Sequence, residues 1–159
     1  MSEQDRIRWD AAYTDREPDD DVPALPPVFS GHADQFPVAG SALDVACGAG
    51  RGSLWLAERG LDVWGLDVSS VAITRARAAA ARRGVAERCR FDVVDLDEGL
   101  PPGPRVDVVL CHRFRDPGLY PALAARLRPG GLLAICVLSE VGAQSGRFRA
   151  GTRELETAF

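Results

Sequence analysis

A glycine-rich turn is the first feature of this sequence that could do chemistry. Gly48, Gly50 and Gly52 directly follow an apolar run that ends at Ala46. Where such a turn joins a strand to a helix, glycine lets a ligand approach the backbone, and the first N–H groups of the helix point toward that ligand. Glycine turns are also common as purely structural connections. On this motif alone, both interpretations stay open.

Two acidic residues stand where further apolar runs end. Asp67 lies 19 residues after Gly48 and follows the apolar residues 63–66. In open α/β sheets, a carboxylate at this place accepts hydrogen bonds from both hydroxyls of a ribose. Asp67 is therefore the leading ligand candidate, although it could instead cap a helix that begins near Ser70. Asp95 could likewise hold an adenine amino group or be a solvated loop acid.

The spacing of the glycines bears on which nucleotide would bind. The dinucleotide pattern G-x-G-x-x-G needs a glycine at position 53, where the chain has Ser53, and Gly52 gives G-x-G-x-G instead. NAD is therefore disfavoured but not excluded. No Gly-Lys-Ser or Gly-Lys-Thr follows the turn, so a Walker phosphate loop is absent, and only Arg51 offers a cation to a pyrophosphate there.

The elements that must position these residues are readable from Ala42 onward. Short apolar runs alternate with helical stretches, which is typical of α/β folds with a parallel sheet. The pattern predicts strands at 42–46, 63–66, 90–94, 106–111 and 132–138. It predicts helices at 53–59 and at 70–83, the second capped by Ser69 or Ser70.

The remaining connections are less regular. The third connection, residues 96–105, holds two glycines and three prolines and can form little helix, while the fourth, 117–127, begins with proline and stops before Pro129. A last helix is expected at 152–159 with Thr152 as its cap. Before the sheet, residues 1–40 are predicted to be an irregular lead segment, with an acidic stretch at 17–21 and a short helix from Trp9 to Tyr13.

Composition limits the function classes. A chain of 159 residues fits one core, so residues 41–159 are expected to form one domain behind the lead segment. No secretory signal or membrane-spanning run is present, which predicts a cytoplasmic protein without a membrane partner. The four cysteines have no metal-site spacing, so no metal is expected. A net charge of −4 argues against a nucleic-acid surface and favours a small-molecule partner.

Four motifs in order carry a resemblance to a known family. They are Leu-Asp-Val-Ala-Cys-Gly-Ala-Gly from Leu43, Gly-Leu-Asp-Val-Ser from Gly65, Val-Asp-Leu-Asp from Val94 and Leu-Arg-Pro-Gly-Gly-Leu-Leu from Leu127. Together they resemble class I S-adenosylmethionine (AdoMet)-dependent methyltransferases, in particular small bacterial tellurite-resistance-like and general small-molecule methyltransferases. The resemblance covers about residues 9–140. It implies a Rossmann-like three-layer sandwich with a mostly parallel sheet in strand order 3-2-1-4-5.

The resemblance also implies roles for individual residues. It places Asp67 and Val68 at the ribose and adenine, and Asp95 and Leu96 at the adenine edge. The methionine part of AdoMet would be flanked by Asp44, Ala46, Cys47, Gly48 and Gly50. Cys111, His112 and Arg113 would face the methyl group and acceptor, with Phe114 beside them. Trp9 and Tyr13, four residues apart, share one helix face and could form a lid or simply pack.

The mechanism would rest mainly on positioning, because the sulfonium of AdoMet carries the reactivity. A dedicated base is not obligatory. If the acceptor is a hydroxyl or an acidic carbon, His112 is the expected general base, since its ordinary pKa lies near neutrality. His112 could instead serve only packing.

The family's sheet usually has seven strands, and the sequence predicts five, with strands 6 and 7 expected to be missing. The fifth strand would then be an exposed apolar edge, which invites pairing with another chain. Three explanations for the missing strands stay open: a shortened chain, an edge covered by a partner such as a second copy in a homodimer, or a degenerate relative. The function expected is methyl transfer to a small molecule. A truncated AdoMet-binding module without turnover, or a NAD-dependent oxidoreductase fragment, are the alternatives.

Overall fold

The computed structural model describes residues 3–16, 22–144, 146 and 149–159. Its first helix, α1, spans Glu3–Thr14 and is longer than the short helix predicted around Trp9 and Tyr13. A 3₁₀ segment, Pro27–Gln35, follows it. The acidic stretch predicted at 17–21 lies outside the described residues.

Five parallel strands form the central sheet in the predicted order, β3-β2-β1-β4-β5. The strands span Gly40–Val45 (β1), Leu61–Asp67 (β2), Cys89–Val93 (β3), Val106–His112 (β4) and Leu127–Cys136 (β5). Every neighbouring pair in this sheet runs parallel. The carboxyl ends of the strands therefore meet at one edge, where the predicted site residues follow them.

Helices cover both faces of the sheet, which gives the three layers that were expected. They span Arg51–Glu58 (α2), Ser70–Arg82 (α3) and Tyr120–Arg126 (α4). α3 begins as predicted, because the hydroxyl of Ser69 accepts a 3.0 Å hydrogen bond from the backbone N–H of Ala72. The connection from β3 to β4 holds one 3₁₀ turn, Leu96–Glu98, in agreement with its proline and glycine content.

The predicted start of α2 is wrong by two residues. The sequence pattern began the helix at Ser53, whereas the structure begins it at Arg51. Gly50 adopts a left-handed conformation with φ of 80°, which turns the chain directly from the glycine loop into the helix. The N-terminus of α2 therefore lies immediately behind the loop.

The bounds predicted for β5 are also wrong. The strand begins at Leu127 rather than 132 and ends at Cys136 rather than 138. Pro129 lacks a backbone N–H, but β5 pairs only with β4 among the described residues, and an edge strand tolerates proline. The pairing with β4 shifts register between Val106 and Val108, which accommodates the Pro-Gly-Gly segment.

The core lies on both faces of the sheet because side chains alternate along each strand. Leu43 and Val45 of β1 pack in the cluster that α4 covers with Leu123, whereas Ala42 packs on the opposite side with Leu56 of α2. The fully buried side chains include Leu43, Leu54, Leu56, Leu61, Leu66, Ile73, Leu96, Leu110 and Leu123. The lead segment contributes Phe36, which is 3% exposed and belongs to the core on the α2 side.

The C-terminal part of the chain forms the predicted last helix and, in addition, a pair of short strands outside the five-stranded sheet. Two short parallel strands, β6 (Leu138–Ser139) and β7 (Arg149–Ala150), pair with each other, and α5 spans Glu154–Ala158. Thr152 is not the cap of α5: the N-cap position is Arg153, in a left-handed conformation with φ of 63° and no side-chain cap. The carboxylate of Glu154 accepts the N–H of Gly151 at 3.3 Å, in the turn that precedes the helix.

Candidate active site at the carboxyl edge of the sheet

The glycine turn after β1 is tightly folded. The amide of Cys47 donates to the carbonyl of Leu66 at 2.9 Å, and the amide of Gly50 donates to the carbonyl of Cys47 at 3.0 Å. Ala46 has φ of 56°, a left-handed conformation that costs a non-glycine residue free energy. Such strain in the backbone is concentrated at functional sites, and here it lies directly at the end of the central strand.

Asp67 joins the end of β2 to this turn. One carboxylate oxygen accepts the amide of Gly48 at 2.8 Å, and the other accepts the amide of Ser69 at 2.9 Å. The side chain is buried at 7% exposure, and burial raises its pKa despite these hydrogen bonds. Both interpretations of Asp67 from the sequence therefore have a structural counterpart: the carboxylate lies beside the glycine turn and also supports the start of α3.

Asp44 is a second buried acid, at the end of β1. It is 4% exposed and accepts a 2.6 Å hydrogen bond from the hydroxyl of Ser53. Burial, opposed by this hydrogen bond and helped by the nearby Asp67, raises the pKa of Asp44 to about 7. A cation close to Asp44 would favour its ionised form. The contact of Ser53, the third residue of α2, with Asp44 was not predicted from the sequence.

Cys47 lies between these acids. Burial raises the pKa of its thiol well above the ordinary value, and the charges of Asp44 and Asp67 act in the same direction. The thiol donates to the carbonyl of Gly48 at 3.6 Å. A protonated thiol of this kind is a packing group of the turn rather than a nucleophile.

The residues predicted for the adenine lie together beyond β2 and β3. Val68 is 4% exposed and Leu96 is fully buried, and both belong to the apolar cluster on the α4 side of the sheet. The carboxylate of Asp95 accepts the amide of Asp97 at 3.0 Å and so caps the 3₁₀ turn. An acceptor role of Asp95 toward adenine stays a prediction.

The residues predicted for the acceptor side separate into two groups. Cys111 and Phe114 are buried in the core at 1% and 7% exposure, and the thiol of Cys111 donates to the carbonyl of Phe114 at 3.6 Å. His112 is half-buried, with its ring 6.3 Å from the ring of Phe29 in the lead segment. Burial and the charge of Arg113 lower the pKa of His112, so its imidazole is neutral at neutral pH.

Helix α1 of the lead segment lies against the glycine turn. Tyr13 of α1 lies against the glycine turn: a Cβ atom built on Gly48 would stand 2.2 Å from the tyrosine hydroxyl oxygen. Trp9 packs on the same apolar cluster as Val68, with its ring 6.2 Å from that of Tyr13. The two aromatic residues expected on one helix face are thus together at the site. Asp10, which the sequence did not single out, lies between them.

The donor set fits an adenosyl amino acid. The turn between β1 and α2 offers a glycine backbone beside two buried carboxylates, Asp44 and Asp67, while Val68 and Leu96 lie in the apolar cluster that follows β2 and β3. Carboxylates suit a ribose diol and a cationic group, and apolar side chains suit a purine ring. Within the described part of the chain, no group of three or more His, Cys, Asp or Glu residues could hold a metal ion.

Comparison with known proteins agrees with this geometry. The methyltransferase domain family matches residues 42–131, which contain the glycine turn, Asp67 and Asp95. Two structural neighbours have the same architecture. A SAM-dependent methyltransferase from Geobacter sulfurreducens, in complex with S-adenosyl-L-homocysteine, has a TM-score of 0.60, 25% identity, and alignment over 79% of this chain and 51% of its own. TehB from Haemophilus influenzae shares the fold, with a TM-score of 0.72, 19% identity, and 85% and 50% coverage.

Two curated relatives differ in their acceptors. A 2-heptyl-1-hydroxyquinolin-4(1H)-one methyltransferase from Mycobacteroides abscessus is 30% identical over 82% of this chain and 58% of its own length. A ribosomal RNA small subunit methyltransferase C from Alcanivorax borkumensis is 30% identical over 84% of this chain and 42% of its own length. This chain therefore spans roughly half the length of either relative. The match of the domain and the fold around the glycine turn together place the chain in the methyltransferase domain family.

Proposed function

We propose that this chain binds AdoMet and transfers its methyl group to a small-molecule acceptor. The observation that carries the proposal is the position of Asp67, a buried carboxylate at the end of β2 that contacts the glycine turn through the amide of Gly48. The glycine spacing disfavours NAD, and membership of the methyltransferase domain family favours AdoMet over it.

The residues around the turn would hold the cofactor. Asp67 would accept hydrogen bonds from the ribose hydroxyls, with Val68, Asp95 and Leu96 around the adenine. Asp44, Ala46, Cys47, Gly48 and Gly50 would flank the methionine part. Bound AdoMet supplies an electrophilic methyl group on a sulfonium, so the protein's task is to align the acceptor with it and exclude water. Asp44, whose pKa is about 7, would be favoured in its ionised form by the positive charge.

His112 is the residue proposed to act as the base that takes the proton from the methyl acceptor. Because the pKa of His112 is lowered, its imidazole is unprotonated at neutral pH and is available as a base. His112 is the last residue of β4, at the edge of the sheet where Asp67 ends β2, and the ring of Phe29 lies beside it. Arg113, which has φ of 64°, would face the acceptor, and Phe114 would support that side from the core.

The charge pattern supports a small acceptor over a nucleic acid. Several arginines pair with carboxylates of the chain itself: Arg83 with Glu58, Arg88 with Asp62, Arg90 with Asp92, Arg115 with Glu154 and Arg128 with Asp107. Paired guanidinium groups contribute less to phosphate binding than a free cationic surface does. The small-molecule relative from Mycobacteroides abscessus is consistent with the same class of acceptor.

Calorimetry with AdoMet, S-adenosylhomocysteine and NAD tests the cofactor assignment. We expect binding of the first two and none of NAD, and we expect Asp67→Asn to weaken the binding at least tenfold because an amide replaces the carboxylate acceptor. Binding of NAD alone would overturn the proposal in favour of an oxidoreductase fragment.

A labelled-methyl assay tests turnover and the acceptor. Panels of small phenols, thiols and amines are compared with total RNA, and label is expected in the small-molecule fraction. For an acceptor hydroxyl, His112→Ala is expected to lower kcat while the affinity for S-adenosylhomocysteine stays unchanged. Unchanged kcat would remove His112 as the base, and label in RNA would overturn the small-molecule assignment. Cofactor binding without any label transfer would favour a binding module without turnover.

A further inference from the structure

Tyr13 occupies the space directly above the glycine turn. A Cβ atom on Gly48 would lie 2.2 Å from its hydroxyl oxygen and 3.1 Å from its Cζ atom, so the phenol is in contact with the backbone of the turn. Burial raises the pKa of Tyr13 to about 12, with the charge of Asp67 as the next cause. A ligand that needs the backbone of Gly48 therefore has to displace this side chain or share the space with it.

Hydrogen bonds to α3 hold α1 in this position: Arg75 donates to the backbone carbonyls of Tyr13 and Arg16 at one end of the helix, and Asp10 makes the link nearest the glycine turn. Oδ1 of Asp10 accepts the hydroxyl of Ser69 at 2.6 Å and the amide of Val71 at 3.3 Å. Asp10 thus sits at the N-terminus of α3, where a negative charge is stabilised. These hydrogen bonds, with Ser69 as the main cause, hold the pKa of Asp10 below its ordinary value, so it is ionised at neutral pH.

Ser69 connects this link to the proposed ribose ligand. Its side chain is completely buried. Its hydroxyl donates to Asp10, and its amide donates to Asp67 at 2.9 Å. The opposite oxygen of Asp67 receives the amide of Gly48, beneath Tyr13. Helix α1, the carboxylate of Asp67 and the glycine turn are therefore joined by one continuous set of contacts. Asp10 is the residue of α1 that takes part in it.

We propose that Asp10 is a positioning residue for cofactor exchange. Its bond to Ser69 keeps α1 closed over the glycine turn when the site is empty and when it is filled, so AdoMet and S-adenosylhomocysteine enter and leave only while that bond is open. This inference rests on the proposed function for the identity of the ligand. The inference goes beyond the proposed function because it assigns control of the exchange rate to Asp10, a residue outside the proposed cofactor-binding set.

The variants follow from the contacts. Asp10→Ala removes the oxygen that accepts both hydrogen bonds, whereas Asp10→Asn retains an oxygen that can accept from Ser69 and Val71. Glu3→Ala is the matched control: Glu3 lies on the same helix and pairs with Arg6, as Asp10 does, but its side chain is 70% exposed. Stopped-flow tryptophan fluorescence, to which Trp9 on α1 contributes together with Trp55 and Trp64, reports binding of S-adenosylhomocysteine in each protein.

Asp10→Ala is expected to raise the association and dissociation rate constants together, each about tenfold, the factor of one charge-assisted hydrogen bond. The Kd should change less than threefold. Asp10→Asn should restore both rates to within about threefold of the wild type, and Glu3→Ala should match the wild type. An unchanged association rate in Asp10→Ala would overturn the inference, since a residue that only stabilises the bound state alters dissociation alone.

Hydrogen exchange of the ligand-free protein separates this inference from the cofactor assignment. In Asp10→Ala, the amides of α1 are expected to exchange faster while those of β1 and β4 keep their protection. Equal exchange in α1 would overturn the closed lid. A wild-type protein that binds neither AdoMet nor S-adenosylhomocysteine would overturn the cofactor assignment, and the control of cofactor exchange with it. Faster exchange of the α1 amides in Asp10→Ala would still show, in that case, that Asp10 docks α1.

Discussion

The hydroxyl of Ser53 donates a 2.6 Å hydrogen bond to Oδ2 of Asp44, and both side chains are buried. This pair joins the first turn of α2 to the end of the central strand. A neutral carboxyl group is easier to bury than a carboxylate, and accordingly burial raises the pKa of Asp44 to about 7. The protein therefore carries an acid beside its glycine turn whose ionisation opposes folding.

The first prediction concerns the pH dependence of stability. Asp44 is protonated in both the folded and unfolded states at low pH, but between its ordinary pKa of 3.8 and about 7 only the unfolded state releases the proton. The free energy of unfolding should thus fall across this window, by on the order of 4 kcal/mol, and level off above it. Asp44→Asn should remove the Asp44 part of this fall and leave only the part that comes from Asp67, whose pKa burial also raises, measured as urea unfolding from pH 4 to pH 8.

A second variant serves as the check on Asp44. Ser53→Ala removes the hydrogen bond that lowers the pKa, so it should deepen the loss of stability above pH 7 and have a smaller effect at pH 4. Parallel pH curves for the wild type and Asp44→Asn would show that another group causes the pH dependence.

The second prediction compares two glycines with similar backbone conformations. Gly48 has φ of 57° and faces Tyr13, whereas Gly84 has φ of 71° and has no atom within 4 Å of its would-be Cβ. Gly84→Ala should cost about 1 kcal/mol, the strain of a left-handed alanine. Gly48→Ala should cost that strain plus displacement of the tyrosine, for a total of about 3 kcal/mol in urea unfolding.

A double-mutant cycle tests the origin of that extra cost. Tyr13→Ala removes the phenol, so Gly48→Ala in that background should cost no more than Gly84→Ala does. Additive effects of the two substitutions would mean that Tyr13 does not lie on the turn in solution.

Local chemistry in the sequence was enough to predict that Asp67 lies beside the glycine turn, and long-range contacts account for what it missed. Asp67 was found because the end of the second strand and its distance from Gly48 are both readable along the chain. The bond from Asp10 to Ser69 joins residues 59 positions apart and has no local signal. The cap of α5 was assigned wrongly to Thr152 because residue type favoured it, while the fold placed the carboxylate of Glu154 on that turn.

The third prediction concerns the edge of the sheet. In the described part of the chain, β5 pairs with β4 on one side only, and an unpaired strand edge is a template for another chain. A homodimer through β5 is expected to appear with rising concentration, measured as molar mass by light scattering. Amides of β5 should gain hydrogen-exchange protection in parallel, whereas those of β3, the opposite edge, should not. A constant monomer mass, or protection gained equally at both edges, would contradict it.

The last prediction concerns the docking of α5. Nε and Nη2 of Arg115 each donate a 2.7 Å hydrogen bond to Glu154, whose carboxylate also accepts the hydroxyl of Tyr120 at 2.9 Å. Arg115, followed by Tyr120, holds the pKa of Glu154 at about 2. A lowered pKa contributes stability that is present above the ordinary value of 4.5 and is lost as the pH falls toward 2.

Glu154→Gln should therefore loosen α5 at neutral pH and remove the acid dependence of its docking. The rings of Tyr120 and Phe159 lie 5.3 Å apart across this junction, so the nuclear Overhauser effect between them measures docking directly. In the wild type this signal should weaken between pH 4.5 and 2, and in Glu154→Gln it should be weak throughout. Glu156→Gln is the matched control, because Glu156 is also on α5 but is 69% exposed. It pairs with Arg153, the N-cap residue of the same helix. A Tyr120–Phe159 signal that persists in Glu154→Gln, or is lost equally in Glu156→Gln, would mean that the half-buried ion pair of Arg115 and Glu154 is not what holds α5 in place.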